Sequence, residues 1–229
     1  KEAAESLGRS LQTSQQLYGS SHGDVATAQI ALADVQISQG ELDTAEQQLK
    51  QALAMQQQLH GKQSVQQAPV LRLMGRLALE RGEIDNGFCL VRPPGHHAEP
   101  NRAMGFCLFN TLAVAAKWAI RHLGLQRIMI VDWDLHHGNG TQKCFYRSEK
   151  VLYCSCHQFP FFPGTGALAE SGEGRGWGYT VNIPLSTGHG NLEFARIFND
   201  IVMPLARTYH PQLILVSCGF DCMSGDPVG

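Results

Sequence analysis

The stretch Ile128-Met129-Ile130-Val131-Asp132-Trp133-Asp134-Leu135-His136-His137-Gly138-Asn139-Gly140 decides how this 229-residue chain is read. Four consecutive apolar residues, three of them β-branched, make a short strand of the kind buried on both faces of a parallel sheet. That strand runs without a break into carboxylates and imidazoles. If extended geometry persists, Asp132, Asp134 and His136 fall on one face by the period of two, and their side chains can converge on one ion. Oxygen and nitrogen donors in this mixture suit a borderline divalent metal such as Zn²⁺ with a position open for water. A further ligand from elsewhere in the chain is required.

Working outward, residues 88–91, 127–131, 151–155, 179–183 and 213–217 read as strands, and 108–122 and 192–208 carry helical periodicity. Alternating strands and helices predict an α/β fold, a parallel sheet covered on both faces with function at the C-terminal ends of the strands. The polar clusters fall at those ends. After the 213–217 strand comes Cys218-Gly219-Phe220-Asp221, a second carboxylate for the same edge, although an Asp after a strand is by itself usually a cap or turn residue. After the 88–91 strand comes Arg92-Pro93-Pro94-Gly95-His96-His97-Ala98-Glu99, a stiff turn that holds two adjacent imidazoles in place. Histidine is suited to proton transfer at neutral pH, yet an isolated His-His pair is more often a surface feature. The Gly-rich run 164–178, with Glu170, Glu173 and Arg175, lacks a phosphate-binding spacing and reads as a rim loop.

Composition divides the chain near Asn86. All seven Cys, all ten Phe, all three Trp and eight of the ten His lie beyond residue 87, whereas fifteen Gln precede residue 70 and four follow it. The first segment repeats: Leu17-Tyr18-Gly19 returns as Leu59-His60-Gly61, and Gly40-Glu41-Leu42-Asp43 returns as Gly82-Glu83-Ile84-Asp85, each 42 residues on. A fixed period of this size is the signature of stacked helix-turn-helix units. Residues 2–85 thus resemble the tetratricopeptide family in its longer, kinesin-light-chain-like variant, which implies an all-α solenoid that binds a peptide or protein partner. The shift calls for another helix at Gly87, where the sequence changes character. The apolar face of residues 70–79 is therefore expected to stay uncovered unless something else packs on it.

Net charge of -2 excludes a strongly basic nucleic-acid surface, and the most apolar run, 105–120, carries Asn110 and Lys117 and is too short for a membrane span. Seven cysteines without a C-x-x-C pair point to a reducing compartment, cytoplasmic or, in a eukaryote, nuclear. The chain begins at Lys1 with acidic residues and no apolar leader, and is read as a fragment.

Five motifs occur in order: Arg-Pro-Pro-Gly-His-His-Ala from Arg92, Gly-Phe-Cys-x-x-Asn from Gly105, Asp-Trp-Asp-x-His-His-Gly-Asn-Gly-Thr-Gln from Asp132, Phe-Phe-Pro-Gly-Thr-Gly from Phe161, and Gly-Phe-Asp-x-x-x-Gly-Asp-Pro from Gly219. Residues 86–229 so resemble the zinc-dependent histone deacetylase family, its class II members and bacterial relatives above all. The resemblance implies a partial arginase/deacetylase-type parallel-sheet fold and an amidohydrolase acting on acetyl-lysine of proteins. It implies Asp134, His136 and Asp221 as Zn²⁺ ligands, His97 as general base and acid, and His96 as a second histidine oriented by Asp132. Asn139 falls where some relatives carry an acid beside the second histidine. Phe106 and Phe162 would wall a channel lined by Gly105. A structural K⁺ would take the backbone oxygens of Asp134, His136 and Cys156 with the side chains of Asp132 and Ser155. The Tyr or His with which the family polarises the substrate carbonyl lies beyond the third ligand and has no counterpart in the eight residues after Asp221, so the chain is expected to be a truncated domain whose activity suffers from the missing group. Two alternatives stay open: an acetylpolyamine deacetylase or arginase-like hydrolase, and a helical-repeat scaffold carrying an inactive deacetylase remnant.

Overall fold

The computed structural model describes residues 2–62, 64–89 and 91–228, and these fall into two compact units, Lys1–Leu90 and Val91–Gly229. In the first, helices α1 (Glu2–Tyr18), α2 (Gly23–Gln39) and α3 (Leu42–His60) are followed by a 3₁₀ turn, Val65–Gln67, that leads into α4 (Ala68–Glu80). Glycine in the left-handed region ends these helices, because only a residue without Cβ enters it freely. Gly40 does so at φ 78°, with the Glu41 N–H donating to the Gln36 carbonyl at 2.9 Å. Gly82 does the same at φ 67°, with Glu83 donating to Ala78 at 2.9 Å. The matching tetrapeptides thus build matching turns. Apolar residues at helical spacing fill one core, in which Leu11, Leu32, Leu49, Val70, Leu73 and Leu77 are buried. The expectation for residues 70–79 is corrected here: Val70, Leu73 and Leu77 pack inside the unit, and only Leu71 and Leu79 on the other side of α4 are about half exposed. No helix forms at Gly87.

The second unit is built on a parallel sheet of β1 (Ile128–Asp132), β2 (Val151–Gln158), β3 (Thr180–Leu185) and β4 (Leu213–Ser217), in the order β3-β2-β1-β4. Alternation along β1 sorts its side chains. Ile128 and Ile130 join the core that contains Ala113, Ala116 and Ala119 of α5 (Thr111–His122) and Phe145 of α6 (Asn139–Phe145). Met129 and Val131 join the opposite core with Ile197 of α7 (Asn191–Ile197) and Val202. Helices therefore cover both faces, which is why every residue of β1 is buried.

Three expectations are adjusted. Phe88, Cys89 and Val91 are not in a strand, and Leu90 lies outside the described residues. The 108–122 helix starts at Thr111 because Asn110 caps it, its Oδ1 accepting the Ala113 N–H at 2.9 Å. The 192–208 helix is continuous through α8 (Met203–Tyr209) but widens into a π turn at Phe198–Val202. Pro204 supplies no N–H to the preceding turn and its ring crowds the carbonyl four residues back, and the wider turn relieves that conflict. No helix among the described residues is long and apolar enough to cross a membrane.

The chain runs from β1 outward through β2 to β3 and then returns to place β4 on the other side of β1. The order thus reverses at the C-terminal ends of β1 and β4, the usual place for a site in an open parallel sheet.

Candidate metal and catalytic site

β1 stops at Asp132, so the extended geometry does not persist and the three acidic and imidazole side chains do not share a face. Residues 133–138 turn instead. Asp134 Oδ1 accepts the His136 N–H at 2.8 Å, which curls the segment and brings the His136 ring back over the Asp134 carboxylate, Nδ1 to Oδ1 3.1 Å. From the end of β4, Asp221 arrives at the same point: its Oδ2 lies 2.8 Å from His136 Nδ1 and its Oδ1 accepts the Leu135 N–H at 3.0 Å. One donor atom each from Asp134, His136 and Asp221 lies within 4.8 Å of the others. The two carboxylates beside His136 lift its pKa to about 9, against partial burial, so the point they surround calls for positive charge. Burial opposes ionisation of Asp221, but His136 and the Leu135 amide hold its pKa below the usual value. Two carboxylates and an imidazole around a cation-seeking point fit a divalent metal with N/O preference.

Asp132 turns the other way. Its Oδ2 takes a hydrogen bond from His96 Nδ1 at 3.0 Å and from the Tyr153 hydroxyl at 3.1 Å, all three groups being fully buried. Burial works against charge on His96, and the Asp132 carboxylate outweighs it, so its pKa is raised. His97 is its opposite. Its Nδ1 faces Asn139 Oδ1 at 2.9 Å, and burial together with the neighbouring His96 lowers its pKa to about 4. The two rings are tilted against each other at 4.0 Å between centroids, and His97 meets His136 edge-on at 5.8 Å. A neutral imidazole therefore stands beside the Asp134, His136 and Asp221 cluster.

Phe162 lies edge-on to His97 at 5.1 Å, and Gly105 passes beneath the same ring. Phe106, expected as the facing wall, is 97% exposed at φ 61°. Sequence reasoning missed Phe161, which stacks on His136 at 5.3 Å, and Tyr153, which a strand pattern alone marks only as core. It also missed the buried network that moors the 159–179 loop. His137 Nδ1 pairs with Thr165 Oγ1 at 2.7 Å, and its Nε2 with Gln142 Oε1 at 3.0 Å. His157 Nε2 donates to the Gly166 carbonyl at 2.9 Å, and Glu170 accepts the Gly166 and Ala167 amides. The residues expected at K⁺ adjoin one another: Asp132 is in register with Ser155, whose Oγ meets His157 Nδ1 at 2.9 Å, and Cys156 Sγ lies 3.8 Å from the Asp132 carbonyl oxygen.

Comparison with known proteins places this geometry in a family. A family model described as the histone deacetylase domain matches residues 15–229, a span that begins inside α1. Histone deacetylase HDA1 of Candida albicans is 49% identical over 160 residues, 66% of this chain and 19% of that protein. Histone deacetylase 9 of Homo sapiens is 47% identical over 163 residues, 68% of this chain and 16% of that protein. The crystal structure of the HDA15 HD domain superposes with a TM-score of 0.62 at 45% identity, covering 72% of this chain and 49% of the solved one. The chain spans about a fifth of the length of these curated relatives. On these grounds the chain belongs to the histone deacetylase family.

Proposed function

We propose that the 91–229 unit carries the catalytic centre of a metal-dependent deacetylase that hydrolyses the acetyl amide of protein lysine side chains. The observation that carries this reading is the convergence of Asp134, His136 and Asp221 beside the neutral ring of His97. Asp134, His136 and Asp221 would hold Zn²⁺, which when bound supplies Lewis acidity to an amide carbonyl and makes water a stronger nucleophile at neutral pH. His97, kept neutral by burial, takes the proton of the attacking water at its free ring nitrogen and returns it to the departing lysine amine. Asp132, itself held by the Tyr153 hydroxyl, keeps His96 in one orientation behind that exchange. Phe162 gives the apolar lysine stem a wall at the mouth, with Phe106 the candidate for the other side.

The remaining assignments belong to the same reading. Asp132, Ser155 and Cys156, with the backbone oxygens of Asp134 and His136, would hold K⁺ as a structural ion. The turns repeated at a 42-residue shift support tetratricopeptide-like units over 1–85 that choose a protein or peptide partner. Seven free cysteines support a reducing compartment, cytoplasm or nucleus.

The test is acetate release from an acetyl-lysine peptide and from an acetylpolyamine by the Zn²⁺-loaded chain, beside a His97→Ala control. Release from the peptide that the control lacks supports the reading, and release from the polyamine alone redirects it to small substrates. A chain that binds Zn²⁺ yet releases acetate from neither, even when extended to the length of its relatives, overturns it.

A further inference from the structure

The orientation of the Asn139 amide is fixed from behind, and the group that fixes it is Glu99. Asn139 sits at the start of α6 and is 5% exposed. Its nitrogen end is surrounded by acceptors only: Glu99 Oε1 at 3.0 Å, Met104 Sδ at 3.2 Å and the His97 carbonyl oxygen at 3.4 Å. None of these can donate, so that end of the amide is the NH₂ group. The carbonyl end, Oδ1, then faces His97 Nδ1 at 2.9 Å and can only accept. His97 Nδ1 must carry the hydrogen, and Nε2 keeps the lone pair. Of the three acceptors, Glu99 makes the shortest contact and is the only one with an ionic charge. Lys143, one turn along α6 from Asn139, holds its other oxygen at 2.7 Å, and these partners keep its pKa below the usual carboxylate value.

We propose that Glu99 is a positioning residue that sets the tautomer of His97 through Asn139. This rests on the reading of His97 as the base, which needs its lone pair on the nitrogen that Asn139 does not hold. Without the Glu99 carboxylate, the Lys143 ammonium lies near the nitrogen end of the amide with no anion between them. The amide then gains by turning its oxygen toward Lys143. Its NH₂ would face His97 Nδ1, the hydrogen would move to Nε2, and the base would be blocked at the nitrogen that must accept a proton.

The test reads the ring nitrogens directly, in long-range ¹H–¹⁵N spectra of the metal-free, histidine-labelled chain at neutral pH, where a protonated and a lone-pair nitrogen resonate far apart. The parent chain is expected to show His97 with Nδ1 protonated. Glu99→Ala is expected to move the hydrogen to Nε2 for most molecules. Glu99→Gln combined with Lys143→Met keeps an acceptor oxygen for Asn139 with no ammonium to claim it, and is expected to retain the parent pattern. Glu99→Ala combined with Lys143→Met, which removes the pull of the ammonium, is expected to recover it in part. Where the loaded chain releases acetate, Glu99→Ala should lower kcat about tenfold or more with KM little changed, and Glu99→Gln combined with Lys143→Met should not. An unchanged His97 pattern in Glu99→Ala overturns the proposal, as does a chain with Glu99→Gln and Lys143→Met that shifts as far as Glu99→Ala. A parent chain with the expected tautomer that binds Zn²⁺ and, even when extended to the length of its relatives, releases no acetate would sink the deacetylase reading while leaving the Glu99 assignment standing.

Discussion

Two glycines separate the proposed metal ligands from the proposed base. A Cβ on Gly105 would collide with the His97 ring, and Gly105 also sits at φ 55°. A Cβ on Gly219 would collide with the Asp134 carboxylate. Gly105→Ala should displace the base and lower acetate release about 100-fold or more while metal affinity holds. Gly219→Ala should weaken metal binding about 10- to 100-fold by pushing a ligand aside. Calorimetric metal titration beside the activity assay checks both, and equal loss of metal by the two variants would refute the separation. Acidity acts on the same ligands. The His136 pKa stands near 9 against an ordinary 6.5, so in the metal-free chain its ion pairs stabilise the fold fully below pH 6.5 and are lost as pH rises through about 9. A metal must displace that proton. Apparent affinity should therefore rise about tenfold per pH unit between 6.5 and 9 and level off above. Titrations in buffers of different ionisation enthalpy should register about one proton released at pH 7.

At the scale of elements, α5 shows how the site is tied to its scaffold. The Asn110 cap also donates from Nδ2 to the buried Thr141 hydroxyl of α6 at 3.0 Å, so one side chain fastens the start of α5 to the helix that carries Asn139. Asn110→Ala removes the cap and leaves Thr141 short of a partner, a loss of about 2 kcal/mol. Asn110→Asp keeps the cap oxygen and loses the donor, and should fall between. Denaturation followed by the fluorescence of Trp118 on α5 checks this, and an alanine variant as stable as the parent would contradict it. The strand core, the alternation of β1 and the carboxylates at strand ends were legible in the sequence because period and composition are local properties. The fate of residues 133–138 was not, because whether a strand continues past Asp132 depends on a hydrogen bond between Asp134 and the His136 amide. Glu99 and Tyr153 were likewise beyond reach. One stood in plain sight after His96-His97 without a role, and the other sat in an apolar pattern that concealed its hydroxyl.

For the molecule as a whole, the composition break near Asn86 and the division at Leu90 and Val91 fall within a few residues of one another. The physical reason is that each side has its own core: a leucine- and alanine-rich one in α1–α4, and two that flank the sheet. Units with separate cores unfold separately unless a large apolar interface joins them. A ligand that binds only the folded state of one unit stabilises that unit alone, by about 2.7 kcal/mol at a free concentration one hundred times Kd. All three tryptophans, Trp118, Trp133 and Trp177, lie in the second unit with Asp134, His136 and Asp221. Zn²⁺ should therefore raise the calorimetric transition that coincides with the tryptophan signal and leave the helical transition unmoved. Asp221→Asn, which removes one ligand charge, should abolish the shift without altering the helical transition. If Zn²⁺ moved both transitions together, the two units would be one cooperative body, and the helical segment would have to be read as part of the deacetylase domain from residue 15 onward.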